Sequence, residues 1–223
     1  MGVAVRTAGA EDRELLVRLL DQAFQDDPVS CWVFPGDEHR RMTHPMLMGA
    51  FTDIVLAEGR VDVTEDGTAC ALWLSVPGDD HGHDSAADDS AADGSGLDDS
   101  DDSVKGDAAE SDGPALLREA VDPDNERVEL IGRLTADIHP EGRAHAYLWM
   151  IAVAPERQGE GLGTALMASV LDRCDREGLP AYLEASNARS RKLYERLGFT
   201  LAGRPLDLPD GPTMWPMWRE PQG

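Results

Sequence analysis

A glycine-rich segment near the middle of the chain has the residue types of an anion-binding turn. It follows an apolar run rich in branched residues, which predicts a buried strand that ends before Pro155. From Leu162 onward, apolar residues recur every four positions, which predicts a helix. The first amides of a helix lack partners within it and attract anions such as phosphate. The predicted turn consists of Gln158, Gly159, Glu160, Gly161, Leu162, Gly163 and Thr164.

The spacing of these glycines excludes two common phosphate loops. A Walker loop requires lysine followed by serine or threonine, and no lysine follows here. A dinucleotide-binding loop requires a third glycine at the position of Thr164. The remaining pattern is Gln158-x-x-Gly161-x-Gly163. Taken alone, a turn that only packs a helix against a sheet explains this pattern equally well.

Charge and cysteine content exclude several classes of protein. The 223 residues carry a formal net charge of -23, and nucleic acid would repel so acidic a chain. The three cysteines have neither metal-ligand nor redox spacing, which is typical of a reducing compartment. No apolar run approaches the roughly 20 residues that cross a bilayer, and no apolar signal core opens the chain. We therefore expect a cytoplasmic protein without a membrane or nucleic-acid partner.

The hydrophobic patterns predict an α/β protein with a mixed, mostly antiparallel sheet of about seven strands flanked by helices. An Asp-Gly pair at residues 66–67 predicts a hairpin. Predicted helices cover the segment after Ala10 as far as Asp26, residues 37–57 with an interruption or kink near Pro45, 115–120, 125–138, 162–177 and 188–197. Predicted strands cover residues 3–6, 60–64, 68–76, 146–153, 181–185, 200–206 and 213–219.

Two aromatic features have either a core or a pocket interpretation. Residues 29–35 are predicted to form a loop, whose Trp32 and Phe34 either fold onto the core or form the wall of a substrate pocket. Trp73 alternates with Leu72 and Leu74, so it faces the other side of its sheet. Core packing of Trp73 is favoured over a substrate contact.

Residues 77–113 are predicted to be a disordered acidic insertion in a single domain that spans residues 1–223. The segment is rich in Asp, Ser, Ala and Gly, and it cannot bury enough apolar surface to offset the entropy of ordering. Residues 79–84 include metal-ligand types, but a loose polar tract is favoured because nothing fixes a ligand geometry. Residues 79–112 hold thirteen acidic residues against one lysine.

Two linked patterns carry a resemblance to a known family. The strand-loop-helix around Gln158-x-x-Gly161-x-Gly163 resembles the acetyl-CoA pyrophosphate loop of the GCN5-related N-acetyltransferase (GNAT) superfamily. Residues 183–187 and 193–199, which read Leu-Glu-Ala-Ser-Asn and Leu-Tyr-Glu-Arg-Leu-Gly-Phe, resemble its C-terminal motif. The resemblance covers nearly the whole chain except residues 77–113. It implies a GNAT fold with acyl-CoA in a cleft between two central strands.

Within that superfamily the chain is most similar to puromycin N-acetyltransferase and its relatives. The similar segments include Ala23-Phe24, Asp27-Pro28, His139-Pro140 and residues 178–184, together with the C-terminal run 211–217. The acidic insertion departs from this pattern, and it lies where the family segment is near the substrate entrance. The identity of the acceptor is therefore open.

The resemblance implies roles for individual residues. Ile151, Ala152 and Val153 would present backbone groups to the pantetheine arm of acetyl-CoA, and the turn 158–164 would hold its pyrophosphate through main-chain amides. Asn187 is included among the expected cofactor contacts.

Tyr194 matches the family tyrosine near the CoA sulfur and would protonate the leaving thiolate; packing of its helix on the sheet is the alternative. Glu184 is the first candidate for the general base, with a structural role in capping the next helix equally favoured. His145 is the second candidate.

The expected activity is acetyl-CoA-dependent acetylation of a primary amine on a small molecule, such as an aminonucleoside or another amine-bearing antibiotic, in resistance or detoxification. Two alternatives stay open: acetylation of protein N-termini or lysines, and a non-catalytic acetyl-CoA sensor. The aromatic segment 29–35 favours a closed small-molecule pocket over an open peptide groove. The oligomeric state stays open.

Overall fold

The computed structural model describes residues 3–79 and 112–223. Within these residues the chain forms seven α-helices and eight strands. The helices are α1 (Arg13–Phe24), α2 (Pro28–Val33), α3 (Asp37–Glu58), α4 (Gly113–Val121), α5 (Glu126–Ile138), α6 (Leu162–Glu177) and α7 (Ala188–Arg196). The strands are β1 (Val5–Thr7), β2 (Arg60–Thr64), β3 (Ala69–Val76), β4 (His145–Val153), β5 (Ala181–Ala185), β6 (Thr200–Leu201), β7 (Leu206–Asp207) and β8 (Thr213–Arg219).

The strands form a mixed, mostly antiparallel sheet, as the sequence predicts. The order is β1-β2-β3-β4-β5-β8-β6, and β7 also pairs with β8. β4 and β5 are parallel, because the crossover helix α6 returns the chain to the starting end of the sheet. The predicted strand 200–206 is wrong as a single strand. It divides into β6 and β7, which pair with different parts of β8, and Gly203 between them has a φ of 83°.

Each face of the sheet carries its own hydrophobic cluster, and β3 contributes to both by simple alternation. Cys70 and Leu72 pack with helices α1, α2 and α3, which we call the α1 cluster. Ala71 and Trp73 pack with α6 and α7, which we call the α6 cluster. Trp73 is therefore a core residue, as favoured from the sequence.

The predicted loop at residues 29–35 is wrong, because residues 28–33 form helix α2. Asp27 is its N-cap: the carboxylate accepts a hydrogen bond from the amide of Val29 at 3.0 Å, and Pro28 occupies the first turn, where it needs no donor. Trp32 and Phe34 are buried in the α1 cluster, and the Trp32 indole donates to the Pro209 carbonyl at 2.8 Å. The core interpretation of these two aromatic residues is therefore correct.

Helix α3 runs without interruption through Pro45, so the expected interruption is wrong, whereas a kink at Pro45 stays a prediction. A proline inside a helix costs about 3 kcal/mol, since it removes one hydrogen bond and crowds the preceding turn. The helix persists because four residues beside Pro45 are buried: Thr43, His44, Leu47 and Met48.

Most of the predicted disordered insertion lies outside the described residues, at 80–111. Its predicted end at Gly113 is wrong, because this residue begins α4 and the Asp112 carboxylate accepts from the amide of Ala115 as the N-cap. None of the described helices is both long enough and apolar enough to cross a membrane. The interpretation of the chain as one domain stays a prediction.

The α6 cluster gives a direct test of the packing. Leu166 lies on α6 and is fully buried, so Leu166→Ala should lower the free energy of unfolding by about 2–5 kcal/mol, through lost burial and the cavity left behind. Leu116 on α4 is 58% exposed, and Leu116→Ala is the matched control, with an expected change within about 0.5 kcal/mol. Urea unfolding measures both values. Equal losses in the two variants would contradict the packing described.

Candidate active site

The two central parallel strands separate along their length, and a cavity of about 1010 Å³ opens beside them. Residues 146–148 of β4 pair with residues 181–183 of β5, and pairing stops there. Beyond Leu148, β4 stays paired with β3, whereas β5 stays paired with β8. Among the described residues, the edge of β4 that faces β5 therefore has no strand partner over residues 149–153, and all of these except Ala152 line the cavity.

A β-bulge at Trp149 changes which side chains of β4 face each side of the sheet. Leu72 lies opposite Met150 and Trp73 lies opposite Leu148, so Trp149 is the extra, unpaired residue. Leu148 consequently packs in the α6 cluster, while Trp149 and Met150 both pack in the α1 cluster.

Two of the three strand residues predicted to contact the acyl donor have side chains at the cavity. Ile151 and Val153 line it. Ala152 does not, because its methyl group is buried in the α1 cluster on the opposite face. Any contact from Ala152 would be through its backbone, which belongs to the free edge of β4.

The glycine-rich turn at the end of β4 has the conformation and the free donors of an anion site. Gly159 and Gly161 have φ values of 92° and 84°, and a Cβ added to either would meet no atom within 4 Å. Gly163 is close to the Leu193 side chain, 3.3 Å from the position of an added Cβ. The amides of residues 162–164 have no acceptor within the described part of the chain; the first bonded amide of the helix is that of Ala165.

The side chains of the turn divide into those that face the cavity and one that faces away. Gln158 lines the cavity; its amide group donates to the Val153 carbonyl at 3.3 Å and accepts from Arg189 at 2.9 Å. Glu160 pairs with Arg157 at 2.8 Å and does not line the cavity. The predicted contact from Glu160 is thus limited to its backbone. Arg189 places a positive charge beside the turn.

Asn187 lines the cavity, but its side chain is already fully bonded. Its carbonyl oxygen accepts from the amides of Arg189 and Ser190, which makes it the N-cap of α7. Its amide nitrogen donates to Asp27 at 3.1 Å, and the Ser186 hydroxyl donates to the same Asp27 oxygen at 2.7 Å. Asp27 therefore fixes the start of α7 against α2, and Asn187 holds the helix rather than offering free donors to a ligand.

Tyr194 lies on α7 with its ring 5% exposed, and it lines the cavity. Its hydroxyl forms no hydrogen bond with any described residue. Burial raises the pKa of this phenol above its usual value, and the nearby Asp27 carboxylate raises it further. Tyr194 therefore keeps its proton at neutral pH and can present it as a donor to a group in the cavity. The ring also packs 6.0 Å from that of Phe199, so the structural role exists alongside the chemical one.

Glu184 is a buried carboxylate with one oxygen free. Its side chain is 5% exposed, and it lines the cavity near the end of β5. The Tyr147 hydroxyl donates to Oε2 at 2.7 Å. Oε1 has no hydrogen-bond partner among the described residues, and the nearest cationic candidate, His139 Nδ1, lies 3.9 Å away. A buried carboxylate that has an unpaired oxygen and lines a cavity is suited to accept a proton.

His145 is not placed to contact a ligand. It is 1% exposed and does not line the cavity. Its Nδ1 donates to the Arg143 carbonyl at 2.7 Å, so in the neutral form Nε2 accepts from His139 Nε2 at 3.1 Å. Burial lowers the pKa of His145. His145 thus orients His139, and His139 is the histidine that lines the cavity.

The cavity residues that were not predicted as site residues include His139, Tyr147 and Asp27. The sequence could have indicated Tyr147 as a site residue, because it is a polar aromatic residue in a mostly apolar strand. His139 and Asp27 were noted only for their resemblance to relatives. Their roles depend on contacts across 45 and 160 positions of sequence, with Glu184 and Asn187 respectively, which no local pattern reveals.

The other end of the cavity is apolar. The Phe51 and Trp149 rings pack 4.6 Å apart there. The rest of this wall comes from α1, α3, α4 and α5, and its apolar residues include Phe24, Leu47, Met48, Ile54, Leu117, Val128 and Ile131.

A strand that separates from its parallel neighbour, followed by a turn with free amides and a helix, matches the cleft that the resemblance to the GNAT superfamily implies. The chain also matches a family model: residues 89–199 fit that of the acetyltransferase (GNAT) family. The chain belongs to this family of acetyltransferases.

Solved structures share the fold. A crystal structure described as histone acetyltransferase HPA2 and related acetyltransferase, from Corynebacterium glutamicum, superposes with a TM-score of 0.67 at 23% identity, over 100% of this chain and 98% of that one. Arylalkylamine N-acetyltransferase 2 from Aedes aegypti superposes with a TM-score of 0.65 at 14% identity, over 100% of both chains. At these identities the likeness shows the fold alone.

Curated relatives match over shorter stretches. An uncharacterized N-acetyltransferase of Schizosaccharomyces pombe is 37% identical over 76 residues, which are 34% of this chain and 31% of that protein. A mycothiol acetyltransferase of Brachybacterium faecium is 41% identical over 66 residues, 28% of this chain and 20% of that protein. The chain thus spans less than a third of the length of either relative.

Burial of the tyrosines gives a pH prediction. Tyr147, Tyr182 and Tyr194 are the three tyrosines of the chain, and burial raises the pKa of each. A phenol whose folded pKa exceeds its unfolded value of about 10 stabilises the fold below that pH, and this contribution is lost as the pH rises. Absorbance at 295 nm should therefore stay flat to about pH 11 and rise only together with the loss of circular dichroism.

The chain unfolded in urea is the control for this titration, because its three phenols should ionise near pH 10. Ionisation of one or more tyrosines near pH 10 with the circular dichroism unchanged would contradict the burial described.

Proposed function

We propose that this protein transfers the acetyl group of acetyl-CoA to the primary amine of a small molecule. One observation carries the proposal: the free edge of β4, the turn with unpaired amides and the side chains of Glu184 and Tyr194 all line the same cavity. Its volume of about 1010 Å³ is at the upper end of the roughly 300–1000 Å³ of most ligand pockets, which leaves room for a donor arm and an acceptor together.

The acyl donor fits the end of the cavity at the glycine turn. The amides of residues 162–164 and the dipole of the 16-residue α6 favour a pyrophosphate, and Arg189 adds positive charge. The pantetheine arm would then follow the free edge of β4, as an added strand does. A backbone amide of that edge would donate to the oxyanion that forms on the thioester carbonyl.

Glu184 and Tyr194 have complementary roles in this proposal. Glu184 Oε1 accepts the proton of the incoming ammonium, directly or through a water molecule, while Tyr147 holds Oε2. The neutral amine attacks the thioester carbonyl, the carbon–sulfur bond breaks, and Tyr194 donates its proton to the departing thiolate. The nitrogen then loses one proton to become the amide, and that proton returns the Tyr194 phenolate to the phenol. A free phenol is a weaker acid than a thiol, so this transfer relies on the low polarity of the cavity, which makes a bare thiolate unfavourable.

The charges along the cavity favour a cationic acceptor with an apolar body. Glu184 and Glu141 line one region of it, and Arg189 lies at the glycine turn. The opposite wall is apolar and includes Phe51 and Trp149, whose rings pack at a tilt of 47°. An amine attached to an aromatic or aliphatic group matches this surface, and aminonucleosides and other amine-bearing antibiotics are members of that class. Detoxification or resistance in the cytoplasm is the corresponding role.

Release of CoA thiol tests the activity. Purified protein is incubated with acetyl-CoA and a panel of aminonucleosides, amine-bearing antibiotics, aryl- and alkylamines and short peptides, and free thiol is measured. We expect acceleration by amines with apolar bodies and none by peptides. Acceleration by peptides alone would favour acetylation of proteins. Binding of acetyl-CoA without acceleration by any amine would favour a sensor.

The glycine turn gives the first prediction for this function. Gly161→Asp places a carboxylate beside the amides that receive the pyrophosphate. Because the added charge and side chain oppose the phosphates at this helix N-terminus, acetyl-CoA affinity should fall at least ~100-fold. Titration calorimetry measures the affinity.

Gly203→Asp is the matched control for Gly161→Asp. Both glycines have left-handed φ values, 83° and 84°, and both have open space around them, so the backbone strain and added charge are alike. Gly203 lies between β6 and β7, away from the turn. Equal affinities of the two variants would contradict the assignment of the turn.

Tyr194 gives the second prediction. Tyr194→Phe keeps the buried ring and removes the proton, so kcat and kcat/KM should both fall by ~10²-fold or more, the scale of a lost general acid. Acetyl-CoA affinity should stay the same. The control is circular dichroism, which should be the same for Tyr194→Phe and the wild type because the buried ring is kept. Tyr194→Phe with near-normal kcat would leave Tyr194 as a core residue.

A further inference from the structure

A second group of reactive side chains reaches the same cavity and takes no part in the proposed amine acetylation. Ser30 on α2, His44 on α3 and Asp21 on α1 form a continuous hydrogen-bonded line. Ser30 Oγ is 3.1 Å from His44 Nε2, and His44 Nδ1 is 2.7 Å from Asp21 Oδ1. A serine, a histidine and a carboxylate in this order define a nucleophile, its base and the group that orients the base.

The hydrogen bonds fix the tautomer of His44. A carboxylate only accepts, so Nδ1 carries the proton toward Asp21 and Nε2 of the neutral ring is free to accept from Ser30. His44 is fully buried, and this burial lowers its pKa, which keeps the ring neutral. The ring also packs edge-on against Phe34, with centroids 6.1 Å apart. His44 therefore has the tautomer, charge state and fixed orientation of a general base.

Ser30 is the member of the group that a ligand can reach. Ser30 is half-buried and lines the cavity. Asp27, one turn earlier, and Tyr194 line the same cavity. Gln25 also holds Asp21: its side-chain amide donates at 2.6 Å to Asp21 Oδ1, the oxygen that bonds His44. The line therefore leads from a fixed carboxylate through a buried imidazole to a hydroxyl at the cavity wall.

The alternative is that the hydrogen bonds among Ser30, His44 and Asp21 are purely structural and serve to join α1, α2 and α3. The same elements are already held by Arg40, whose guanidinium donates to the carbonyls of Gln25 and Phe34 at 2.8 and 2.9 Å. The structural role accounts for the Asp21–His44 and Ser30–His44 bonds, but joining the helices does not require Ser30 to line the cavity as well.

We propose that Ser30, activated by His44 and Asp21, is a nucleophile that hydrolyses acyl thioesters in this cavity when no amine occupies it. Ser30 Oγ bonds to the thioester carbonyl carbon, its proton passes to His44 Nε2, and the carbon–sulfur bond breaks. The thiolate leaves with that proton. Water then attacks the acyl-serine ester and gives a proton to His44, which returns it to Ser30 Oγ. The net reaction converts a thioester and water into a carboxylic acid and a thiol.

The proposal rests on the function above only in that an acyl thioester enters the cavity. Covalent labelling tests the nucleophile without any acyl donor. A fluorophosphonate probe reacts with an activated serine and not with an ordinary one, and mass spectrometry of the digested protein locates the adduct. We expect the adduct on Ser30 of the wild-type protein and its absence from Ser30→Ala and Asp21→Asn.

Release of CoA from acetyl-CoA without amine tests the activity. The rate should fall at least ~10²-fold in Ser30→Ala, the scale of a lost nucleophile or base. Cys31→Ala is the matched control on the same helix, since Cys31 has only a long contact of 3.7 Å to the Gln25 carbonyl, and its rate should equal that of the wild type. Circular dichroism confirms that each variant is folded.

The outcomes separate the two proposals. Amine acetylation without labelling of Ser30, or with equal hydrolysis in the wild type and Ser30→Ala, overturns the hydrolytic role and leaves the transferase intact. Either result would leave Ser30, His44 and Asp21 as a purely structural network. Labelling of Ser30 in a protein that does not bind acetyl-CoA supports the nucleophile and overturns the transferase. Labelling elsewhere in the chain also overturns the inference.

Discussion

The separation of β4 from β5 is the constraint on which the site depends. The two strands are parallel neighbours for only three residues, after which each keeps its other partner. Backbone donors and acceptors at the freed edge of β4 must bond elsewhere, to water or to a ligand, because unpaired buried peptide groups are costly. The bulge at Trp149 coincides with the point of separation. It allows the end of β4 to stay paired with β3 while facing a cavity on its other edge.

The elements around this opening follow from it. β4 ends in the glycine turn, and α6 must start there because it carries the chain back across the sheet to a parallel strand. The free amides of α6 thus lie at the mouth of the opening. The end of β5 brings Glu184 to the same place, and the Asn187 cap directs α7 so that Tyr194 enters the cavity. Asp27 joins this cap to α2, so the starts of α7 and α2 are held together.

The glycine turn and the start of α6 could be predicted from the sequence because their signals are local. A strand, the pattern Gln158-x-x-Gly161-x-Gly163 and a helix lie within a few residues of one another, and the positive φ values of Gly159 and Gly161 are a requirement that glycine meets directly. Most helices and strands were also recognised from periodicity alone. The failures arose where one signal had two meanings. The predicted loop at residues 29–35 is such a case, because Asp27-Pro28 is also the start signal of helix α2.

The rest of the site depends on long-range contacts. The approach of His139 to Glu184 and the Ser30–His44–Asp21 line join separate elements, and the spacing of these residues has no period that a pattern detects. The continuous helix through Pro45 likewise depends on burial of its neighbours, which overrides a strong local preference. Local sequence specifies the glycine turn at one end of the cavity, whereas tertiary packing specifies the side chains that meet in the rest of it.

Hydrogen–deuterium exchange with and without acetyl-CoA tests the central claim most directly, since it follows the backbone groups that the separation of β4 from β5 leaves free. We predict that acetyl-CoA slows exchange at the amides of residues 149–153 and 161–164, while the paired segment 146–148 and the hairpin of β2 and β3 exchange at unchanged rates. Protection confined to other segments, or tight binding without slower exchange at β4 and the glycine turn, would contradict the account.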